Sequence, residues 1–383
     1  MALFRSDILN HDFLKSALCE AERTGSVDLL EVTVGEAEQC GLQEIRPVLI
    51  LAAIRGREKS FHWVAKLSPG SEAAARLGRE RGDWEREVFT YRELLPRIEL
   101  RANSLRVAGP AHPDLVIANT SPAGTSLLFT DLTLAGFEPA GQMLELDTLE
   151  LVLDWLTELH AHSAAHLAGG GAPPPVSLLC PTPLSGLAVA QLVRAAQPGQ
   201  RGDADRLAAL FQSEKFEAVC RRELGQRSDL FCCVCHGSPV PANVLVWREA
   251  GTAREAVLTN YGEVRLCQPA TDIAILLATC TNRKFRRQHL ARLLKHYHDR
   301  LATLLESLGL SASSYTFSQL VRDYQEAQLP ALGLAVVALH GQAGHSTQDV
   351  VDSEDLPSSS QADIDLNNQI MDIMEELIEK NLL

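Results

Sequence analysis

The alternation of apolar and polar positions changes character along the chain, from strand-like in the first third to helix-like over most of the rest. After a polar helix predicted near residues 11 to 24, the stretch from Leu29 to Leu67 carries three apolar runs: Val32 and Val34, then Val48-Leu49-Ile50-Leu51, then Phe61, Trp63 and Val64. Breaks containing glycine and charge separate them, which predicts an antiparallel meander. From Arg76 to Leu95 the spacing turns helical, with Trp84, Val88, Tyr91 and Leu95 on one face, and Pro96 is expected to end the helix. Leu115 to Ile117 and Leu127 to Phe129 predict two more strands around the turn Ser121-Pro-Ala-Gly124.

Asp147 is the expected N-cap of a helix in which Leu149, Val152, Leu153, Trp155, Leu156 and Leu159 make a wide apolar stripe. A Gly/Pro stretch from Gly169 to Pro175 breaks the pattern, and residues 180 to 225 return to short helical pieces. One compact β interruption follows, Leu230 to Val246 and Ala256 to Leu266, after which Asp272 to Cys280 and Gln288 to Leu308 are helical again. Residues 344 to 365, rich in Ser and Asp, read as a loose connector. Ile370, Ile373, Met374, Leu377 and Ile378 then restore amphipathic order in a terminal helix over 366 to 383, expected to dock on the body.

The 383 residues, 46% of them hydrophobic, suffice for one lobed domain or two small ones. Lys and Arg number 35 against 49 for Asp and Glu, a formal charge of -14, so no broad attraction to nucleic acid or anionic lipid is expected, although a local basic pocket stays open. The segment MALFRSDILN lacks a secretory pattern, and no run of about 18 apolar residues occurs, which argues against secretion and membrane spanning. Nine cysteines without regular spacing suit reduced thiols. The expectation is a cytoplasmic protein with neither nucleic acid nor membrane as a partner.

The candidate chemistry begins at Lys66, in the strand Phe61-His-Trp-Val-Ala-Lys-Leu, and Glu87, about two turns into the following helix. A kinase Lys grips nucleotide phosphates and needs a fixed counter-charge from such a Glu. A solvent-facing Lys and a surface Glu would give the same pattern. Further along stand His236-Gly-Ser-Pro-Val-Pro-Ala-Asn243, the apolar strand Val244-Leu-Val-Trp247, then Val257-Leu-Thr-Asn260-Tyr261 and Pro269-Ala-Thr-Asp272. Their order is that of a catalytic loop, a strand, a metal-binding segment and a structural Asp. Phe89-Thr-Tyr-Arg-Glu-Leu-Leu-Pro96, Leu127-Leu-Phe-Thr-Asp-Leu-Thr-Leu-Ala-Gly-Phe137 and Leu156-Thr-Glu-Leu-His-Ala161 fall in matching order too. On these motifs nearly the whole chain resembles the insect ecdysteroid-kinase-like (CHK kinase-like) proteins, relatives of choline kinases and aminoglycoside phosphotransferases.

That resemblance implies an α+β, bilobal protein-kinase-like fold, with a small β-rich N-terminal lobe over residues 1 to 132 and a larger, mainly helical C-terminal lobe over 133 to 383. It implies ATP in the cleft and Mg²⁺ bridging its phosphates. It assigns phosphate binding to Lys66 and Glu87, an adenine-facing backbone to Asp131, metal coordination to Asn243, and bracing of the catalytic loop to His236 and Asp272. Two positions depart from the family pattern. Ser238 stands where the family has the Asp that acts as base, and Asn260 where it has the Asp that holds Mg²⁺. Losing a general base costs about 10²- to 10⁴-fold in rate, and a neutral amide is a poor substitute for a hard anionic Mg²⁺ ligand.

The expected protein is therefore a pseudokinase that binds a small molecule, nucleotide or protein partner through the old cleft. The alternative is an active ATP-dependent kinase for a hydroxyl of a steroid or other small molecule, with Glu263 or another carboxylate making good the loss. A purely structural interaction protein is a third reading, because Val34 to Gly41, at the place of a phosphate lid, carries Glu36 and Glu38 and reads first as a hairpin turn. Cys232, Cys233, Cys235 and His236 lack a second ligand pair and read as buried small hydrophobes rather than zinc ligands. His162 and His166 share a helix face with no acidic partner nearby, and His160 is expected to pack or cap. Arg283, Lys284, Arg286 and Arg287 read as a solvated face.

Overall fold

Asn10 sets the start of the first helix: its side chain accepts the Phe13 N–H at 2.9 Å, capping α1 (His11–Ala21). In the computed structural model the described residues are 9–40, 43–68, 78–79, 81–121, 124–175, 201–223, 231–342 and 361–380. They fall into two units, Met1–Glu80 with Pro113–Phe137, and Arg81–His112 with Glu138–Leu383. The start of the helix expected from Arg76, the tip of the turn at 122–123, residues 180–200, Leu230 and the connector up to residue 360 lie outside the described residues, as does the side chain of Leu377.

The first unit is an antiparallel sheet with α1 against one face. Its strands are β1 (Asp28–Val34), β2 (Glu38–Cys40), β3 (Gln43–Ile54), β4 (Arg57–Leu67), β5 (Leu115–Ser121) and β6 (Gly124–Thr130), in the order β1-β3-β4-β6-β5. Strands β1 and β2 both pair with β3, Val34 opposite Val48 and Glu38 opposite Ile45. The stretch expected as a hairpin turn is therefore an interruption along one edge, with Glu36 and Glu38 exposed. Leu14, Ala17 and Leu18 of α1 join Val48, Ile50, Ala52, Trp63, Ala65 and Leu67 in one apolar core. Alternation along β4 turns Lys66 to the opposite face from Ala65 and Leu67, where it is 3% exposed and paired in register with Ile45 and Leu127.

The second unit begins with α2 (Asp83–Phe89), which passes through a π turn at Thr90–Leu94 into α3 (Leu95–Leu105). Pro96 was expected to stop the helix and instead sits in the first turn of α3. The wider turn, closed by the Leu95 N–H on the Thr90 carbonyl, carries the chain past a ring that would break an ordinary i to i−4 ladder. Next comes α4 (Leu146–Ala168), which starts earlier than its expected cap: Leu149 N–H already bonds the Glu145 carbonyl, and Asp147 accepts from Thr148 N–H inside the first turn.

The β interruption consists of the pair β8 (Cys233–Cys235) and β11 (Arg265–Cys267), and the hairpin β9 (Val244–Glu249) and β10 (Thr252–Leu258) with the short β7 (Phe137–Pro139) as its third strand. Every residue of α7 (Ala270–Cys280) is buried, as its almost wholly apolar sequence requires. The far end packs Phe211 of α5 (Arg201–Phe211), Phe216 and Cys220 of α6 (Glu214–Glu223), Leu332 and Val336 of α9 (Phe317–Gln342), and Ile370, Ile373 and Met374 of α10 (Gln361–Glu379) into one cluster. Sequence periodicity did not reveal α9, which carries Pro330 in its interior.

The basic run expected on a solvated face is an ionic seam holding that terminal helix. It opens α8 (Arg283–Ser307), where Arg283 pairs with Glu375 and Glu379, Arg287 with Glu379, and the buried Arg286 with Glu376 at 2.8 Å. Arg286 also donates to the Thr281 carbonyl at 2.6 Å. Removing one partner of such a buried pair leaves the other uncompensated, so Arg286→Ala is expected to cost about 3 kcal/mol. The measurement is hydrogen exchange along α10, where protection should drop while the sheet of the first unit keeps its own.

Candidate active site

Asp272 lies in the first turn of α7, fully buried, and both of its oxygens are used. Oδ2 accepts the His236 backbone N–H at 2.6 Å and His160 Nε2 at 3.1 Å, while Oδ1 accepts the Gly237 N–H at 2.9 Å. Because the carboxylate can only accept, His160 donates through Nε2 and receives the Tyr297 hydroxyl at Nδ1, 2.7 Å away. Burial by itself would push the Asp272 carboxyl up. The His160 hydrogen bond, the favourable electrostatics of the His160 and His236 rings and the Gly237 N–H outweigh it and hold the group below its ordinary value. His160 is thus a third brace of the loop; as a histidine on the buried face of α4 it was expected only to pack or cap.

Gly237 turns the loop at a positive φ of 82°, and a Cβ there would lie 2.0 Å from the Glu263 carbonyl oxygen, so no other residue fits. His236 donates from Nε2 to the Thr259 carbonyl at 3.0 Å and accepts the Ser238 N–H at Nδ1. Trp155 and Tyr261 pack on its ring. The loop then closes on Asn243, which is 3% exposed and donates from Nδ2 to the Ser238 carbonyl at 2.8 Å, with the Ser238 hydroxyl at 3.5 Å. Asn260, in the left-handed region that Asn tolerates, donates from its own Nδ2 to Asn243 Oδ1 at 3.2 Å.

Ser238, Asn243 and Asn260 therefore form one uncharged, mutually bonded group. Magnesium takes hard oxygen ligands, usually including a carboxylate. Here the one buried amide oxygen already receives an N–H, and neither neighbouring side chain is anionic, so this donor set does not fit Mg²⁺. Glu263, the carboxylate considered as a replacement, is held by two arginines: it pairs with Arg81, and Arg265 Nη2 reaches it at 3.1 Å.

A guanidinium network ties α2 to the same turn. Arg86 is 1% exposed and donates to the Gly262 carbonyl at 2.8 Å, the Arg81 carbonyl at 2.6 Å and Asp83 at 2.8 Å; burial brings it down to about 10. Glu87, one residue on, is also buried, beside the phenols of Tyr91 and Tyr261, whose rings meet edge to face at 5.0 Å. The sequence reading did not single out Arg86. An arginine next to the motif Glu, on the helix that follows the lysine strand, was the signal available.

The remaining predicted residues lie in the first unit. Lys66 sits in β4 as described. Asp131 uses its backbone N–H on the His62 carbonyl at 3.1 Å, and its carboxylate caps the turn Leu132–Ala135 by accepting Thr133 N–H and hydroxyl. Cys233 and Cys235 behave as core, fully buried, and burial raises the Cys233 thiol to about 11, whereas Cys232, expected to be buried with them, is only half-buried because it precedes the strand. The sulfurs of Cys233 and Cys235 gather with His160, yet both ring nitrogens of His160 are already bonded to Asp272 and Tyr297.

A sheet bearing a buried lysine, and a mainly helical unit whose loop is braced by a buried Asp, make up a kinase-like phosphotransferase scaffold. The chain belongs to the ecdysteroid kinase-like family, whose model matches residues 48–169 and 185–310, more than half of its length. Among solved structures it is similar to choline kinase LicA from Streptococcus pneumoniae, at 10% identity and a TM-score of 0.47, covering 95% of this chain and 98% of that one. It is similar also to Plasmodium vivax ethanolamine kinase, at 12% identity and 0.44, covering 100% and 92%. A third is the GDP complex of wild-type aminoglycoside 2'-phosphotransferase-IIIa, at 13% and 0.46, covering 96% and 99%. No curated protein sequence matches.

Because Asp272 has a depressed folded-state value, its contribution to stability is complete above its ordinary pKa of 3.8 and is withdrawn as pH falls from there through the lower folded value. Asp272→Asn is expected to cost about 3 kcal/mol or more at pH 7. Thermal unfolding across pH 2 to 7 should show the gap between variant and wild type closing only on the acid side of about pH 4.

Proposed function

We propose that this protein is a catalytically impaired member of its family, which binds a nucleotide or other small molecule through retained positions and does not carry out magnesium-dependent phosphoryl transfer. The observation that supports this most directly is the hydrogen bond from Asn260 Nδ2 to Asn243 Oδ1 at 3.2 Å. Turning the Asn260 amide over would set two amide oxygens against each other at that distance, so the donor orientation is the stable one. A cation there meets an N–H where the family has an anionic oxygen. Ser238 in turn supplies a hydroxyl that accepts no proton near neutral pH, in place of a base toward a substrate hydroxyl.

The loss of charge acts on one functional unit, and the two changes need not add. Retained are Lys66 and Glu87, both buried, and the braced geometry of the loop. We assign the protein to a reducing, cytoplasmic setting on the strength of the seven cysteines whose side chains are described, all of them free thiols.

The test is thermal unfolding with millimolar ATP, once with Mg²⁺ and once with a chelator. A ligand at a hundred times its dissociation constant stabilises by about 2.7 kcal/mol, and the expected shift is the same in both arms. Asn260→Asp is expected to make the shift Mg²⁺-dependent. Transfer of labelled γ-phosphate to a panel of hydroxysteroids should not exceed that of Lys66→Ala. Product above that control would establish the active-kinase alternative, and a midpoint that ATP leaves unmoved would remove the nucleotide and leave a protein partner as the occupant.

A further inference from the structure

The histidines of α4 divide between two faces. His160 points at Asp272, and a residue two positions on is turned by about 200°, so His162 looks the other way. His162 and His166, four apart, share that second face, and opposite them on α3 stand Arg97 and Arg101, also four apart. These four side chains line a single cleft of about 340 Å³ within the second unit. Its lining contains no carboxylate, in a chain whose formal charge is -14.

We propose that this cleft binds the phosphate group of a small organic phosphomonoester, with Arg97 and Arg101 as the charged fork and the two imidazoles, whose Nε2–H groups are given to the Ala108 and Ala172 carbonyls, accepting at Nδ1 from hydroxyls of the organic part. Three observations support a ligand site. First, His162 is fully buried and bonds the Ala108 carbonyl through Nε2 at 2.7 Å, but its Nδ1 has no partner. Second, the Arg101 guanidinium makes no ion pair or hydrogen bond among the described residues, and Arg97 has only the exposed Glu93. Third, the rim Gly169-Gly-Gly171 bears no side chains, and at Gly171 none would fit, because a Cβ there would lie 2.2 Å from His166 Nε2.

The chemistry selects phosphate because guanidinium groups match its tetrahedral oxygens in paired, charge-assisted bonds, and a dianion answers two fixed positive charges. Burial, reinforced by the charge of Arg101, keeps both imidazoles below their ordinary pKa, so the positive charge at rest belongs to the arginines. Ile98 on the floor and Leu100, 73% exposed at the edge, give an organic moiety an apolar wall that inorganic phosphate would not use.

The experiment is calorimetric titration of the full chain with glycerol 3-phosphate, inorganic phosphate and acetate at constant ionic strength. Glycerol 3-phosphate is expected to bind, inorganic phosphate more weakly and acetate weakest. Arg97→Ala with Arg101→Ala should weaken binding about tenfold or more. Leu100→Glu, which places a carboxylate at the edge without touching the core, should weaken it as well. Lys66→Ala, in the other unit, should leave it unchanged. The proposal is overturned by absence of binding, by acetate binding as tightly as the phosphates, by binding that survives loss of both arginines, or by loss in Lys66→Ala.

Discussion

One buried carboxylate organises the second unit. Asp272 is out of water, so it is tolerable there only if its charge is answered by hydrogen bonds and nearby positive potential, and the chain supplies both. Two backbone N–H groups from His236 and Gly237 fix the start of the loop, and the His160 to Tyr297 relay ties it to α4 and α8. Everything downstream in the loop, including the placement of Asn243 under Ser238, follows from that anchor. The anchor holds the loop without any contribution from the Ser238 or Asn260 side chains.

Ser238, Asn243 and Asn260 are held by local hydrogen bonding. With carboxylates at positions 238 and 260, two like charges would sit close together, which a cation would have to neutralise. With Ser238 and Asn260 the same positions are neutral, and three side chains satisfy one another without any ion. The nearest charges are organised separately: Glu263 answers Arg81 and Arg265, while Arg86 spends its donors on Gly262, Arg81 and Asp83. The arginine network thus ties down the turn at Gly262 and Glu263.

Much of the candidate site was legible in the residues themselves. Short motifs such as His236 to Asn243 and Pro269 to Asp272 carry their order along the chain, and strand alternation around Val48 or Trp63 is a strong local signal because one face must be buried. Less legible were features set by partners distant in sequence. Arg283 and Arg286 look like a solvated basic run until Glu375, Glu376 and Glu379 arrive from some ninety residues away. Pro96 reads as a stop because the rule assumes an ordinary α-ladder, which the π turn before it replaces. Helix α9 was not picked out at all, and its interior Pro330 is what a local rule takes for a break.

The amino-acid sequence by itself determined the family, the α+β order of elements, and the uncharged side chains at Ser238 and Asn260, since each of these is a matter of residue identity and spacing. Only the tertiary structure decided what those two side chains bond. Whether an amide at position 260 offers its oxygen or its N–H to Asn243 depends on which group faces it across the fold. Whether His160 packs, caps or relays depends on Asp272 and Tyr297, 112 and 137 residues away. Hydrogen bonds are directional and short, so a residue's chemistry is settled by its neighbours in space, and the sequence lists those neighbours only along one dimension.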